Sequence, residues 1–340
     1  MATLKDVAEK VGVSITTVSR VMNGRGAISR ETRDKVFAAM KELNYFPNEM
    51  ARSLGNKSSH LIGLIVPYIY HAFFGILTAA IEEACYKSGY KLFFCTSGGN
   101  PNRERELFTM LCANNVAGVL VCSRITDESL YMQTDVPIVT IERMIEDVPS
   151  VSCDNYKGGV LAAQELLLAS GCKSPLLFGN RIISDQLPAS LRYKGFQDAC
   201  AKNGSPCSEY YIDAEDLFGK NLGEDVYKAL KQFPETDGIF ATSDVLAARI
   251  MNTLNDADEA DTFGRIPVIG FDGVDISAYC EISTIAQPIR QMGALAVQIL
   301  IQRINGQIVP ERSILPVSLI RRKTSGPSFV KAEALNTSYT

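Results

Sequence analysis

From residue 61 to residue 271 the chain alternates short apolar runs with longer amphipathic stretches. That alternation restricts the fold more than any other feature. Leu61–Val66, Tyr90–Cys95, Gly118–Cys122 and Pro137–Ile141 read as strands, with helices over Phe74–Ser88 and Asn102–Asn115 between them. A second series follows. Helices over Lys157–Ser170, Ala189–Asn203, Asn221–Phe233 and Asp244–Asn255 interleave with strands over Pro175–Gly179, Glu209–Ile212, Gly238–Thr242 and Val268–Phe271. Strands separated by helices form parallel sheets covered on both faces, and two series imply two lobes. A further helix is expected over Ile289–Ile304.

The first sixty residues carry helical periodicity alone. Thr3 is a helix cap with Asp6 at the capping-box position, and Leu4, Val7, Ala8 and Val11 share one face. Gly12 stops that helix. Ser14 caps a second helix, Ile15–Met22, with Val18, Val21 and Met22 turned inward. Two short helices about a glycine turn form a helix-turn-helix. Ser29 caps a third, roughly Arg30–Leu43, with Val36, Phe37, Met40 and Leu43 as its apolar stripe. The second helix leaves Ile15, Thr16, Thr17, Ser19 and Arg20 outside, and its first turn is the part that reaches base edges in this motif. Arg20 has the donor fork for guanine, Thr16 can bond a base or phosphate, and Ile15 can pack on a thymine methyl. A solvated amphipathic helix would expose the same residues, so the wider context decides. Pro47 and Asn48 open a short helix ended by Gly55, and residues 56–60 form a polar linker.

Charge follows the same division. The chain carries −4 overall, yet residues 1–60 hold ten Lys/Arg against six Asp/Glu, so the head is +4 and the remainder −8. A basic head on an acidic body fits a polyanionic partner for the head alone. Nine scattered cysteines, with no Cys-x-x-Cys, read as reduced buried thiols. No zinc or other metal site is expected, because only His60 and His71 occur and neither has partners at ligand spacing. No apolar run approaches a membrane span, and the N-terminus lacks a secretory h-region, so a cytoplasmic chain is expected.

Thr3-Leu4-Lys5-Asp6-Val7-Ala8, Gly12-Val13-Ser14, Thr17-Val18-Ser19-Arg20-Val21, Ala51-Arg52-Ser53-Leu54 and Ile62-Gly63-Leu64-Ile65-Val66-Pro67 together resemble the LacI/GalR family of bacterial repressors. The resemblance covers almost the whole chain. It implies a small all-α headpiece over 1–46, a hinge helix and linker over 47–60, and a periplasmic-binding-protein-like body over 61–330. That body is α/β, with two doubly wound parallel-sheet lobes. The first lobe would hold about 61–155 and 288–319, and the second about 156–286 and 320–330. It also implies that Leu54 wedges into the minor groove with Ala51 beside it, a device that partly unstacks and kinks the duplex. The DNA-facing set is then Leu4, Ser14, Ile15, Thr16, Thr17, Arg20, Tyr45, Asn48, Ala51 and Leu54.

Ligands of such sheets sit at strand carboxyl ends. Residues at those ends, together with the resemblance, nominate Phe73, Phe74, Glu142, Arg143, Arg192, Ser243, Asp272 and Gln287 for an effector. Arg192 in Arg192-Tyr193-Lys194-Gly195-Phe196 and Asp272 in Gly270-Phe271-Asp272 lead the set. Ser243 stands where relatives often carry asparagine. Aromatic faces beside paired donors and acceptors suit a polyhydroxylated molecule. Asn100–Glu106 and Asp154–Gly159 look similar to sucrose- and ribose-type regulators.

The resulting expectation is a homodimeric repressor on near-palindromic, double-stranded operator DNA, controlled by a sugar or sugar phosphate. The alternative is a catabolite-control-type regulator answering to a phosphorylated protein. An enzyme is not expected. No dinucleotide fingerprint, P-loop or nucleophile elbow occurs, and no cofactor is called for. A freestanding transport protein would not need the first sixty residues.

Overall fold

The computed structural model describes residues 2–22, 24–45, 59–122, 129–132, 134–181, 187–213, 222–255, 266–327 and 329. The chain forms two compact units, Met1–Ser59 and His60–Thr340. The short helix expected after Pro47 lies outside the described residues.

In the first unit the helices run Leu4–Val11, Ile15–Met22 and Arg30–Glu42. The Thr3 capping box is present, with Thr3 N–H donating to Asp6 Oδ2 at 2.7 Å and Asp6 N–H to Thr3 Oγ1 at 3.3 Å. Gly12, at φ +74°, turns the chain, and Val13 N–H reaches back to the Ala8 carbonyl at 3.1 Å. Val7, Ala8, Val18, Val21, Val36 and Ala39 close the core. Phe37 corrects the expected stripe, because its ring is 53% exposed. Val36, Ala39 and Met40 already face the other helices, and position 37 lies about 100° round the helix from 36.

The second unit holds two six-stranded sheets. The first has the order β11-β5-β4-β3-β1-β2 and is entirely parallel. Its strands are β1 Leu61–Val66, β2 Lys91–Thr96, β3 Gly118–Val121, β4 Ile138–Ile141, β5 Ser150–Cys153 and β11 Arg312–Leu315. The second has the order β12-β10-β9-β8-β6-β7. It comprises β6 Pro175–Asn180, β7 Ser208–Ile212, β8 Gly238–Ala241, β9 Val268–Asp272, β10 Ser283–Ala286 and β12 Ser318–Ile320, with β12 antiparallel to β10.

The chain passes between sheets three times. Asp154 follows β5 and caps the helix Asn155–Gln164, accepting from Lys157 N–H at 2.9 Å. The helix thus begins two residues before the expected Lys157, and it packs on β10 and β12 of the second sheet. After β10 the helix Ile289–Ile304 returns to lie on β3, β4 and β5. The third passage comes between Leu315 and Ser318, before residue 319, since β12 already pairs in the second sheet.

The helix after Asn155 widens into one π turn, Glu165–Ala169. Glu165 is buried there and takes both arms of Arg321, at 2.8 and 2.7 Å, plus Ser325 Oγ at 2.8 Å. Gly326 N–H donates to Ser170 Oγ at 2.8 Å. The chain after β12 is tied to the π turn by these bonds. Glu165 is buried while Arg321 is half exposed, so solvent can replace part of the lost contact. Arg321→Met should destabilise the body by about 1–2 kcal/mol. Urea unfolding followed by circular dichroism measures it, and a loss below about 0.5 kcal/mol would show that Ser325 and solvent suffice for Glu165.

Candidate functional sites

The helix Ile15–Met22 presents Ile15, 47% exposed, together with exposed Thr16 and Arg20. Its N-terminus is formed by Ser14, whose Oγ accepts from Thr17 N–H at 3.1 Å and shares a hydrogen with Thr17 Oγ1 at 2.9 Å. Ser14 and Thr17 therefore shape the first turn, while Ile15, Thr16 and Arg20 project from it. Leu4 and Tyr45 are partly buried against the headpiece core. Asn48, Ala51 and Leu54 fall outside the described residues.

In the body, three expected residues meet directly. Asp272 ends β9, Gln287 follows β10, and Arg192 projects from the helix Ala189–Lys202. Gln287 Nε2 donates to Asp272 Oδ1 at 2.8 Å. Arg192 Nη1 stands 3.8 Å from the same oxygen. Its guanidinium is held elsewhere. Nη1 donates to the Thr242 carbonyl at 2.9 Å, Nε to Asn155 Oδ1 at 2.8 Å, and its carbon lies 3.6 Å over the Phe271 ring. Asp272 sits at φ +115°, a conformation side chains rarely adopt. Asp272 Oδ2 and Gln287 Oε1 are buried, with no hydrogen-bond partner among the described residues.

Glu142 joins this cluster through Asn155, not by touching Arg192. Glu142 has φ +52°, and its two oxygens accept from Cys153 N–H at 2.8 Å and Asn155 Nδ2 at 3.0 Å. Ser243 caps the helix Asp244–Leu254, with its Oγ accepting from Leu246 N–H at 3.2 Å. Phe73 and Phe74 meet edge to face at 5.2 Å between centroids, and both rings pack into the apolar core. Arg143 is 1% exposed.

Sequence reasoning passed over Asn155, Thr242 and Phe271. Thr242 contributes a backbone carbonyl, which no side chain signals. Asn155 follows β5, and Ser150-Val151-Ser152-Cys153 is too short and polar to read as a strand.

Burial sets the electrostatics. It pushes the Asp272 carboxyl up to about 8, with Arg192 pulling down and Asp244 pushing further up. At 3.8 Å the guanidinium is beyond hydrogen-bond range, so its attraction does not offset desolvation. Asp244 is likewise pushed up, to about 7, by burial, against hydrogen bonds from Thr284, Val274, Gly273 and Ser277. It ties the start of its helix to the turn after β9, taking Val274 N–H at 2.8 Å. Among the described residues no group of three His, Cys, Asp or Glu could hold a metal ion, and no helix is long and apolar enough to cross a membrane.

The comparisons with known proteins agree with this architecture. Residues 3–48 match the family "Bacterial regulatory proteins, lacI family", and residues 165–325 match "Periplasmic binding protein-like domain". The class is thus a helix-turn-helix transcriptional regulator with a periplasmic-binding-protein-like body. The chain belongs to the lacI family of bacterial regulatory proteins. It is 38% identical to the sucrose operon repressor of Streptococcus mutans serotype c, over 94% of this chain and 98% of that one. It is 35% identical to the ribose operon repressor of Bacillus subtilis strain 168, over 96% and 99%. The structure of the lac repressor dimer bound to operator and the anti-inducer ONPF superposes with a TM-score of 0.80 at 28% identity, over 95% and 98%. A periplasmic binding protein/LacI regulator from Alkaliphilus metalliredigens, complexed with D-xylulofuranose, superposes with a TM-score of 0.69 at 31% identity, over 78% and 99%. The chain is a DNA-binding regulator, not an enzyme.

The raised Asp272 carboxyl has a testable sign. Unfolded, an aspartate loses its proton near pH 4; folded, this one keeps it to about 8. Between those values the folded state holds the extra proton, so the stability lost on burying the group grows as pH rises. The melting temperature of the wild type should fall relative to Asp272→Asn from pH 5 to pH 8. A gap constant across that range would mean that Asp272 is ionised throughout.

Proposed function

We propose that the chain represses a sugar-utilisation operon in the cytoplasm, as a homodimer on a near-palindromic operator. A sugar or sugar phosphate bound at the Arg192–Asp272–Gln287 cluster controls its operator affinity. One observation carries this reading. Asp272 Oδ2 and Gln287 Oε1 are buried polar oxygens without hydrogen-bond partners among the described residues, beside the donor fork of Arg192. A buried acceptor left unpaired costs about 1–3 kcal/mol. A polyhydroxylated ligand relieves that cost, because a hydroxyl can donate to Gln287 Oε1 and can either accept from protonated Asp272 Oδ2 or donate to it when ionised. The relatives named above as sucrose and ribose operon repressors support the ligand class, as does the structure complexed with D-xylulofuranose. The lac repressor dimer on operator supports the assembly.

On the DNA side, Arg20, Thr16 and Ile15 read bases, with Ser14 and Thr17 shaping their helix turn and Leu4 and Tyr45 orienting the headpiece. Asn48, Ala51 and Leu54 complete the contact from the segment that follows. The effector acts through differential affinity for the operator-competent and incompetent states. Glu142 joins the effector site through Asn155. Ser243, Phe73, Phe74 and Arg143 are its outer members.

Two predictions test the two halves. Arg20→Ala should lose about 1–3 kcal/mol of discrimination between operator and random DNA. Equal loss on both, measured by fluorescence anisotropy at fixed salt, would assign Arg20 to the phosphates. Asp272→Asn and Arg192→Ala should abolish the operator response to sugar. Titration calorimetry against D-ribose, sucrose, D-fructose and their phosphates finds the active sugar, and gel shifts with and without it measure the response. A variant that responds like wild type removes its residue from the site.

A further inference from the structure

Asn155 stands where the chain leaves the first sheet for the second. It follows β5 by two residues and opens the helix that packs on β10 and β12. The residue is 1% exposed, and its amide is fully engaged. Oδ1 accepts from Arg192 Nε at 2.8 Å, and Nδ2 donates to Glu142 Oε2 at 3.0 Å and to the Cys153 carbonyl at 3.2 Å. A guanidinium only donates and an ionised carboxylate only accepts, so these partners set which way the amide faces. Arg192 belongs to the second lobe. Glu142 follows β4 of the first, and its other oxygen holds Cys153 N–H at 2.8 Å. One planar group therefore bridges a second-lobe cation and a first-lobe anion at the crossover.

We infer that Asn155 is the positioning residue that transmits occupancy at Arg192 to the first lobe through Glu142. The inference rests on Arg192 belonging to the effector cluster. A ligand that draws the guanidinium away from Asn155 Oδ1 frees the amide to turn. Because the amide is rigid, Nδ2 turns with it and Glu142 loses its donor. The Cys153 amide, at the end of β5, then loses its acceptor in turn. Asparagine supplies an acceptor for Arg192 and an amino group that donates to both Glu142 and the Cys153 carbonyl. Aspartate in its place keeps the bond to Arg192 but sets a carboxylate against Glu142.

The test compares Asn155→Asp with the swap Glu142→Gln/Asn155→Asp in the full chain. In the swap the new amide donates to the new carboxylate, so the 142–155 contact is rebuilt with its polarity reversed, while the bond to the Cys153 carbonyl stays lost. Hydrogen exchange needs no sugar. In Asn155→Asp, peptides spanning 142–154 should exchange about tenfold faster, the loss of roughly one hydrogen bond. In the swap they should slow again to within about threefold of wild type, the remainder being the lost bond to the Cys153 carbonyl. Arg192→Ala should speed the same peptides in wild type and add nothing to Asn155→Asp. The second arm is operator affinity with and without the sugar that binds wild type in calorimetry, at saturation for each protein. That ratio should collapse toward one in Asn155→Asp and recover in the swap. Wild-type exchange or a wild-type ratio in Asn155→Asp would overturn the proposal, as would a swap that stays as open as the single variant. If none of D-ribose, sucrose, D-fructose and their phosphates binds wild type, the sugar reading fails, and the exchange arm alone decides the role of Asn155.

Discussion

The helix Asn155–Gln164 lies against the helix Ala189–Lys202 at backbone distance. A side-chain carbon on Gly159 would strike the Arg192 carbonyl oxygen, and one on Gly195 would strike the Tyr156 carbonyl. Only glycine fits at both positions, because the two main chains have no room for a methyl group between them. Asn155 is one turn before Gly159, and Arg192 is one turn before Gly195, so each polar residue shares a face with its glycine. The 2.8 Å bond between Asn155 and Arg192 follows from that approach. Separate the helices by the width of a methyl group and the guanidinium loses its anchor.

Around that contact the structure manages a buried charge in two ways. Thr242, Asn155 and the Phe271 ring occupy Arg192, which leaves it 3.8 Å from Asp272 instead of closing a bidentate pair. Asp272 in turn relies on Gln287 and has one oxygen without a partner among the described residues. A fully closed bidentate pair would satisfy both groups and hold the carboxyl ionised, whereas here burial keeps it protonated. The open arrangement coincides with an Asp272 backbone at φ +115°, a conformation that side chains rarely adopt.

Much of this was legible from residue patterns. The headpiece helices announce themselves through Thr3, Gly12, Ser14 and Ser29, because caps and stops are local chemistry. The long strands β1 and β6 are apolar runs bounded by polar ones, whereas Arg192 and Asp272 led the effector set through the family resemblance. The strands β5, β10, β11 and β12 did not, since four or three residues such as Ser283-Thr284-Ile285-Ala286 carry no period. With β5 unseen, nothing marked Asn155 as a strand-end residue. Phe37 failed in the opposite direction. Its hydrophobicity suggested burial, but a helix face is chosen by its neighbours, and Val36 and Ala39 had already taken it.

The sequence by itself determined which residues are available. It specified a basic head with a recognition helix, two parallel sheets alternating with helices, and an arginine and an aspartate among apolar neighbours. Tertiary structure alone decided which of them meet. Arg192 and Asp272 are 80 positions apart, and Glu142 reaches Arg192 only through an asparagine whose own position depends on two glycines in different helices. Local patterns record propensity, burial and capping, because those act over a few residues. The meeting of distant side chains depends on helix separation and on strand pairing across the crossovers, which no local pattern encodes.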